Sequence, residues 1–282
     1  MTDRFAAFRH LSYRRYFAAR FGGSLAGNFL AVTVAWQVYD ISGSELYLGL
    51  IGLVTFLPSL LLVLVTGLAS DKFGRRMIMG LSILLQMTCG LILLYLTASG
   101  LIRNDDGELN ITLVLITVAI MGVARAFYAP AASSLAVNLV PRKDFANAVG
   151  WNASSWQMAT ILGPALGGVL TAVSINLSYG TATVISLLTA LLIFSIPKPV
   201  QARLSERTTL TTILGGFQYM WKTKIVLGAI TLDLFAVLLG GAVALLPVYA
   251  KDILGIGEAG YGVLWAAPGV GAILMVVVIT SV

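Results

Sequence analysis

Long apolar stretches alternate with short polar or charged breaks along almost the whole chain. A helix needs about 20 apolar residues to cross the hydrocarbon core of a bilayer. Stretches of about this length are Phe17–Tyr39, Tyr47–Ser70, Met77–Thr97, Ile111–Ala132, Ala148–Ile175, Tyr179–Ile196, Ile225–Ala250 and Gly260–Val282. The pattern therefore predicts an all-α membrane protein in which each stretch is one span.

The longest break between spans, residues 198–224, divides the chain into two parts. Apolar residues recur at helical spacing within it, at Leu210, Ile213, Leu214 and Phe217. This spacing indicates an amphipathic segment on the membrane surface, although an irregular polar loop fits equally well. We expect a six-helix N-terminal bundle in residues 1–197, a cytoplasmic linker in residues 198–224 and the first two helices of an incomplete C-terminal bundle in residues 225–282. The last apolar run has no charged stop before Val282, so we expect the sequence to be truncated.

Composition and charge agree with this class of protein. Hydrophobic residues make up 58% and charged residues 11% of the chain, whereas soluble domains are about 45–50% apolar and 25% charged. With the N-terminus inside, the lysines and arginines between spans, together with Arg20 near the start of the first span, fall on one side except for Arg103 and Lys251. Because cytoplasmic loops retain basic residues, we predict a multi-pass protein of a bacterial-type cytoplasmic (inner) membrane with a cytoplasmic N-terminus. The net charge of +6 is then a topology signal and does not indicate nucleic-acid binding.

The residues that commonly carry enzyme chemistry are scarce. One cysteine, Cys89, and one histidine, His10, leave no internal disulfide and no metal-binding cluster. The sequence contains no nucleotide-binding glycine loop, zinc-ligand pair or nucleophile elbow. We therefore expect no enzymatic activity, no metal and no cofactor.

The loop between the second and third spans carries the sharpest motif, Gly67-Leu68-Ala69-Ser70-Asp71-Lys72-Phe73-Gly74-Arg75-Arg76. It resembles the loop signature of the major facilitator superfamily: glycine, three residues, aspartate, two residues, glycine and two basic residues. Gly67 permits a close helix approach, Gly74 a tight turn, and Asp71 can face the positive N-terminus of a neighbouring helix. Such a contact contributes roughly 0.3–2 kcal/mol, which biases a conformational equilibrium without locking it. We interpret the loop as a conformational switch; alternatively, its arginines only fix topology and Asp71 only ends a helix.

Two charged residues inside predicted spans are candidates for proton coupling. Arg125, in the fourth span, costs at least about 2.5–3.5 kcal/mol to insert, so it should face a cavity or a partner. It resembles the fourth-helix arginine of drug-efflux branches of the superfamily, which implies a role in proton coupling; snorkelling to the interface is the alternative. Asp233, in the seventh span, is expected to exchange protons, or else to pair with Lys222, Lys224 or water. The seventh span resembles that of bacterial exporters related to the enterobactin and macrolide efflux proteins.

The fifth span carries a glycine-proline motif made of Gly163, Pro164, Gly167 and Gly168. It resembles the signature of superfamily antiporters. Gly163 and Gly167 lie one turn apart and predict a strip on which another helix packs closely. Gly262 and Ala266 form a similar strip on the eighth span, and in this family the fifth and eighth helices meet. The motif thus favours an exporter, although glycine packing alone is common in membranes.

Asn28 and Gln37 on the first span and Thr117 on the fourth are candidates for lining a central path, with polar contacts between helices as the alternative. The resemblance as a whole implies a secondary active transporter that exports a small molecule, such as a drug or a siderophore, by proton-coupled antiport with alternating access. Its expected partners are the substrate, protons and the lipid bilayer, and we expect a monomer at full length. The alternatives are an importer of the same fold, or an inactive membrane fragment that lacks the last four helices.

Overall fold

The computed structural model describes residues 4–104, 107–198, 221–228, 231–232 and 240–281. Within these ranges the regular structure is helical, apart from one isolated bridge between Arg103 and Leu109. The long helices are α1 (Leu11–Ser42), α2 (Glu45–Leu61), α3 (Val63–Phe73), α4 (Arg75–Ala98), α5 (Ile111–Val137), α6 (Phe145–Val173), α7 (Ile175–Ser195) and α8 (Gly257–Ser281). The predicted first, third to sixth and eighth spans correspond to α1, α4, α5, α6, α7 and α8.

The predicted second span is two helices rather than one. Leu62 separates α2 from α3, because its backbone angles (φ −97°, ψ 1°) are not helical. Its amide still donates to the Pro58 carbonyl oxygen at 2.9 Å, so the chain continues in nearly the same direction. Pro58 lacks an amide hydrogen and weakens the helix one turn before the break.

The described end of the predicted seventh span is irregular. A 3₁₀ helix at Gly240–Leu245 leads into a single α-helical turn at Leu246–Val248 and a π-helical turn at Tyr249–Ile253. Residues 224–228 and 231–232 are helical as predicted. Asp233 and the proposed amphipathic segment within residues 199–220 lie outside the described residues.

Among the described residues, four helices are both long and apolar enough to cross a membrane: α4, α5, α7, and α6 with its preceding turn. The second span misses this criterion because its two pieces have 17 and 11 residues. The 32-residue helix α1 is long enough, but polar side chains such as Asn28 and Gln37 lower its mean apolarity. Polar residues inside a long helix are expected where the helix faces a cavity or other helices rather than lipid.

The helices bury apolar side chains against one another and leave others on the outside. Helix α1 packs on α6 and α7, α4 packs on α5 and α7, α2 and α3 pack on α5, and α8 packs on α6. On the outside, Leu60 is 57% exposed and Leu191 is 60% exposed. Large exposed apolar surfaces are rare on soluble monomers and suit contact with lipid.

The helix ends form two faces of opposite charge character. One face, here called the basic face, contains one end of each of the helices α1, α4, α5, α6 and α7. Contacts between these helix ends show that they lie together. The Arg15 guanidinium donates to the Ser195 carbonyl oxygen at 2.6 Å, and the His10 ring lies 3.1 Å from the Asp144 carboxylate. The opposite, acidic face carries Asp40, Glu45, Glu108, Asp252 and Glu258. The charge asymmetry predicted from the sequence therefore becomes two separate surfaces.

Tyrosines near the basic face join three helices. The Tyr16 hydroxyl on α1 lies within hydrogen-bonding distance of the Ala132 carbonyl oxygen on α5, at 2.8 Å, and of Asn152 Oδ1 on α6, at 2.6 Å. The Tyr13 hydroxyl donates to the Ala148 carbonyl oxygen at 2.7 Å. Both side chains are fully buried. These contacts hold the ends of α1, α5 and α6 together.

Candidate functional site

A cavity of about 510 Å³ lies among the helices. This volume falls within the roughly 300–1,000 Å³ range of small-molecule sites. Its walls come from α1, α2, α4, α5, α6 and α8, together with Val243 and Ala244 of the 3₁₀ helix in the seventh span. The cavity therefore joins the first bundle to the described part of the second.

Small residues of α1 let neighbouring side chains approach the cavity wall. Gly23, Gly27, Ala31 and Ala35 recur every four residues and line the cavity. A Cβ added to Gly23 would lie 2.6 Å from the Tyr128 hydroxyl oxygen, and one added to Gly27 would lie 3.1 Å from Gln86 Oε1. On α2 the lining residues also follow helical spacing, at Leu48, Ile51, Gly52, Thr55, Phe56 and Ser59.

Arg125 of α5 lines this cavity. Its side chain is exposed to solvent although the residue lies at the middle of a long apolar helix, so the exposure is to the cavity. Among the described residues, no hydrogen bond or ion pair to Arg125 is present. A cavity-facing position is one of the two environments expected for an arginine inside a span.

A second arginine, Arg20 of α1, lines the same cavity. It is 8% exposed, and its Nε atom is buried without a hydrogen-bond partner. Its guanidinium carbon lies 5.3 Å from the centroid of the Tyr128 ring, a cation–π contact. The Tyr128 hydroxyl in turn donates to the Arg20 carbonyl oxygen at 3.3 Å.

From the sequence, Arg20 was interpreted only as one of the basic residues that set the membrane topology. Its position in the cavity wall was not predicted. The available clue was its position: Arg20 lies inside the predicted first span, three residues after Phe17 and three before Gly23. Also missed were Gln86 on α4 and the aromatic lining residues Phe56, Trp156 and Trp265. Aromatic residues in apolar helices give no sequence signal that separates a cavity wall from the packed core.

Asn28 lines the cavity, and its side-chain amide donates to the Ala159 carbonyl oxygen of α6 at 3.0 Å. The Gln86 amide nitrogen lies 3.2 Å from the Gly23 carbonyl oxygen and 3.3 Å from Ser186 Oγ. These bonds tie α1 to α6 and α4, and α4 to α7. The polar side chains of the cavity are thus fixed by neighbouring helices.

Gln37 and Thr117 do not line the cavity, so their assignment to a central path is corrected. Gln37 is 3% exposed, accepts a hydrogen bond from the Tyr179 hydroxyl at 2.8 Å and donates to Thr97 Oγ1 at 3.1 Å. Thr117 is 3% exposed and donates to the Leu113 carbonyl oxygen of its own helix at 2.8 Å. Both side chains satisfy their polar atoms within the bundle, which is the use expected of buried polar groups.

The glycines of the α6 motif pack on two different helices. A Cβ added to Gly163 would lie 2.5 Å from the Asn28 Cβ, and one added to Gly167 would lie 3.3 Å from the Phe29 Cα. These two glycines therefore face α1. The expectation that they form the strip for the eighth span is corrected.

Gly168 and Pro164 form the surface that meets α8. A Cβ on Gly168 would lie 2.7 Å from the Gly262 Cα and 2.7 Å from the Glu258 carbonyl oxygen. A Cβ on Gly262 would clash with the Pro164 carbonyl oxygen. Positions 164 and 168 are one residue further along α6 than 163 and 167, and one residue rotates the helix by about 100°. The fifth and eighth spans do meet, but through a neighbouring face of α6.

The predicted switch loop lies on the basic face. Gly74 has φ 92°, a conformation that favours glycine, and it separates α3 from α4. The Arg75 guanidinium donates to the Ser134 carbonyl oxygen at 3.1 Å, and that of Arg76 donates to the Ile196 carbonyl oxygen. Both arginines thus contact the C-terminal ends of neighbouring helices, α5 and α7, where cations are favoured.

The other two residues of the loop motif are Gly67 and Asp71, both on α3. Among the described residues, a Cβ added at Gly67 would meet nothing within 4 Å, so the close helix approach at this glycine stays a prediction. Asp71 belongs to the last turn of α3, and its side chain lies outside what the structure describes.

On the acidic face, the end of α1 is tied to the second part of the chain. The Tyr39 hydroxyl donates to the Asp252 carboxylate, and Lys251 Nζ lies 2.7 Å from Asp40 Oδ1. Nearby, the rings of Trp36 and Tyr261 lie 5.7 Å apart between centroids. Together with the Gly168 contact, these interactions hold the two parts together at this face.

A cavity lined by apolar helices from two parts of one chain, with the parts in contact at one face, is the arrangement of a secondary transporter. The family model of the Major Facilitator Superfamily matches residues 16–282. The chain belongs to this superfamily of membrane transporters and is therefore not an enzyme.

Relatives and solved structures agree with this assignment. The chain is 26% identical over 271 residues to the enterobactin exporter EntS of Shigella boydii serotype 18, covering 93% of this chain and 62% of that protein. The same figures hold for EntS of Escherichia coli O1:K1 / APEC. The chain thus spans less than two thirds of the length of these curated relatives.

Two solved structures share the fold. A D-xylose-proton symporter matches with a TM-score of 0.63 and 14% identity, over 90% of this chain and 65% of that one. A bacterial homologue of the human lysosomal transporter Spinster, in an inward-facing and unoccupied conformation, matches with a TM-score of 0.63 and 16% identity, over 91% of this chain and 59% of that one.

Proposed function

We propose that this chain is part of a secondary active transporter that exports a small molecule by alternating access, in exchange for protons. The observation that carries this proposal is the cavity of about 510 Å³ between the two parts of the chain, with Arg125, an intramembrane arginine that has no partner among the described residues, in its wall. The EntS relatives, named as exporters, support the outward direction.

Alternating access requires contacts that hold the two parts together at one face and can be broken. The acidic-face contacts suit this role. The ion pair between Lys251 and Asp40 is solvent-exposed, with side-chain exposures of 36% and 43%, and such pairs contribute only about 0–1 kcal/mol. The backbone contact between Gly168 and Gly262 buries no side chain at its closest point. Separating the parts at this face breaks this weak ion pair together with the hydrogen bond between Tyr39 and Asp252 and the packing of the buried Tyr261 against Trp36.

Proton coupling is assigned to Arg125 and Asp233. An arginine stays charged, so its role is to stabilise a nearby anion or repel a cation as the cavity changes sides. A carboxylate inside a span is the group that gains and loses the proton. One charge crossing about 100 mV supplies about 2.3 kcal/mol, enough for a substrate gradient of roughly fiftyfold.

Orientation follows from the basic face. We place this face, with the switch loop of Gly67, Asp71, Gly74, Arg75 and Arg76, in the cytoplasm of a bacterial cell and the acidic face outside the inner membrane. Single cysteines introduced at Lys143 and at Glu45 test this placement. An impermeant maleimide applied to intact cells should label the second site and not the first, and the reverse pattern would overturn the orientation.

Transport itself is tested in vesicles that contain the protein with whatever sequence its gene encodes after Val282. An imposed proton gradient should drive substrate across the membrane, and an uncoupler should abolish this transport. Arg125→Gln should remove the dependence on the gradient, whereas Arg142→Gln, a change of the same charge outside the cavity, should not. Transport that persists unchanged with the uncoupler would reject proton coupling, and inward accumulation in cells would replace export by import.

A further inference from the structure

The cavity has two arginines but no acidic side chain among its described lining residues. Arg20 and Arg125 both line it, and in the described part of the chain neither forms an ion pair. Leaving a charge uncompensated inside a membrane protein is costly. In this structure the nearest compensation is an aromatic ring, which is weaker than a counter-ion.

The two arginines come from different helices. Arg20 of α1 lies with its guanidinium carbon 5.3 Å from the centroid of the Tyr128 ring. Arg125 precedes Tyr128 by three residues on α5, and both line the same cavity. Two helices therefore each contribute one cationic side chain to the cavity wall.

Arg20 also has an unused donor. Its Nε–H is buried and has no acceptor, although buried donors are almost always paired. Guanidinium groups match carboxylates and similar anions with two parallel hydrogen bonds. An anion in the cavity would compensate the charge of this guanidinium group.

The rest of the cavity suits an apolar body. Phe56, Trp156 and Trp265 line it from α2, α6 and α8, with Met121 and Val34 between them. A volume of about 510 Å³ is far larger than a bare inorganic ion requires. Ligand sites of this size combine an apolar wall with a few polar groups that set orientation.

We infer that the transported substrate is an organic anion with an aromatic body, whose acidic group is bound by Arg20 and Arg125. This inference rests on the proposed transport function and specifies its substrate class. The aromatic body lies against Phe56, Trp156 and Trp265. The acidic group lies in the cavity within reach of these two guanidinium groups, which have no acidic partner among the described residues.

A matched pair of ligands tests the inference: 2-naphthoate and its neutral amide, 2-naphthamide, which share ring and size. Binding to the purified protein, expressed with all residues its gene encodes, is followed by quenching of tryptophan fluorescence, since Trp156 and Trp265 line the cavity. We expect 2-naphthoate to bind at least about tenfold more tightly, because a hydrogen bond to a charged group contributes about 1.5–3 kcal/mol. Equal affinities would overturn the inference.

Variants separate the anion site from general folding. Arg20→Gln and Arg125→Gln should each remove most of the preference for 2-naphthoate while leaving the binding of 2-naphthamide nearly unchanged. Arg142→Gln, outside the cavity, should keep the preference. If Arg20→Gln and Arg125→Gln lose affinity for 2-naphthoate and 2-naphthamide to the same extent, the arginines have a structural role and the inference is overturned.

The anion could also be supplied by a lipid headgroup. The measurement is therefore repeated in nanodiscs of phosphatidylcholine alone and with phosphatidylglycerol added. A preference for 2-naphthoate that is equal in both supports a free organic acid, whereas its loss with the anionic lipid would assign the site to lipid instead. If the preference for 2-naphthoate is absent but gradient-driven transport is intact, the anion site is rejected and the proposed function stands. If the preference is present but gradient-driven transport is absent, the proposed function is rejected and the anion site stands.

Discussion

Gly168→Ala is the sharpest test of the contact between α6 and α8. A Cβ at this position would lie 2.7 Å from the Gly262 Cα and from the Glu258 carbonyl oxygen, whereas carbon atoms in contact stay about 3.5–4.0 Å apart. Both obstacles are backbone atoms, so no side-chain rotation removes the overlap. The two helices must separate by about 1 Å.

The cost of such overpacking is about 1–3 kcal/mol. It acts only on the conformation in which the acidic-face ends touch. An energy of this size shifts the ratio of two conformations by about 5–150-fold. We expect Gly168→Ala to favour the conformation in which the two parts have separated at the acidic face.

Spin labels on cysteines introduced at Ser174 and Ile256 report this change, since both residues are exposed near the contact. The native Cys89 is buried and contributes little background. In pulsed electron paramagnetic resonance, the Gly168→Ala protein should show a larger population of long distances between the two spin labels than the parent protein.

The matched control is Gly150→Ala on the same helix, where an added Cβ meets nothing within 4 Å. Both substitutions bring the same gain in helix propensity, up to about 1 kcal/mol in aqueous helices. The control should therefore keep the parent distance distribution. An unchanged distribution in Gly168→Ala as well would refute the idea that this contact helps to hold the acidic face closed.

The remaining predictions concern stability and switching. Tyr16→Phe removes a buried hydroxyl that bridges three helices and should lower the free energy of unfolding by about 1–2 kcal/mol in detergent, whereas Tyr95→Phe, at a residue 65% exposed, should leave it unchanged. Gln37→Leu strands the buried Tyr179 hydroxyl and should cost about 0.6–1.7 kcal/mol, with the cavity's ligand affinity unaltered; a loss of affinity at full stability would return Gln37 to the transport path. Asp71→Ala should impair transport in vesicles without reducing membrane insertion, and normal transport would exclude the switch role.

The class of protein and most helix positions were predictable from the sequence. The predicted starts and ends of α4 and α7 lie within a few residues of those observed, because membrane spans must be continuous apolar runs. The single-residue break at Leu62 was not predicted, although Pro58, one turn before it, was an available clue. Periodicity carries little signal in a helix that is apolar on all sides.

The candidate site was predicted only in part. An arginine in the middle of a span is conspicuous, and Arg125 was identified for that reason. Arg20 was not, because arginines near helix ends are common topology signals. Asn28 and Gln37 are nine residues apart on α1, which places them on opposite sides of the helix at about 100° per residue. Only the structure shows that Asn28 is the one that lines the cavity.

The sequence by itself determined that this chain lies in a membrane and that its two surfaces differ in charge. That result depends only on how side chains partition between lipid and water, which is a property of each segment alone. The tertiary structure decided which residues face the cavity and which glycine of α6 meets which neighbour. Those outcomes depend on the rotation of each helix about its axis. A shift of one position along the helix turns the side chain by about 100°, so that it faces a different neighbouring helix.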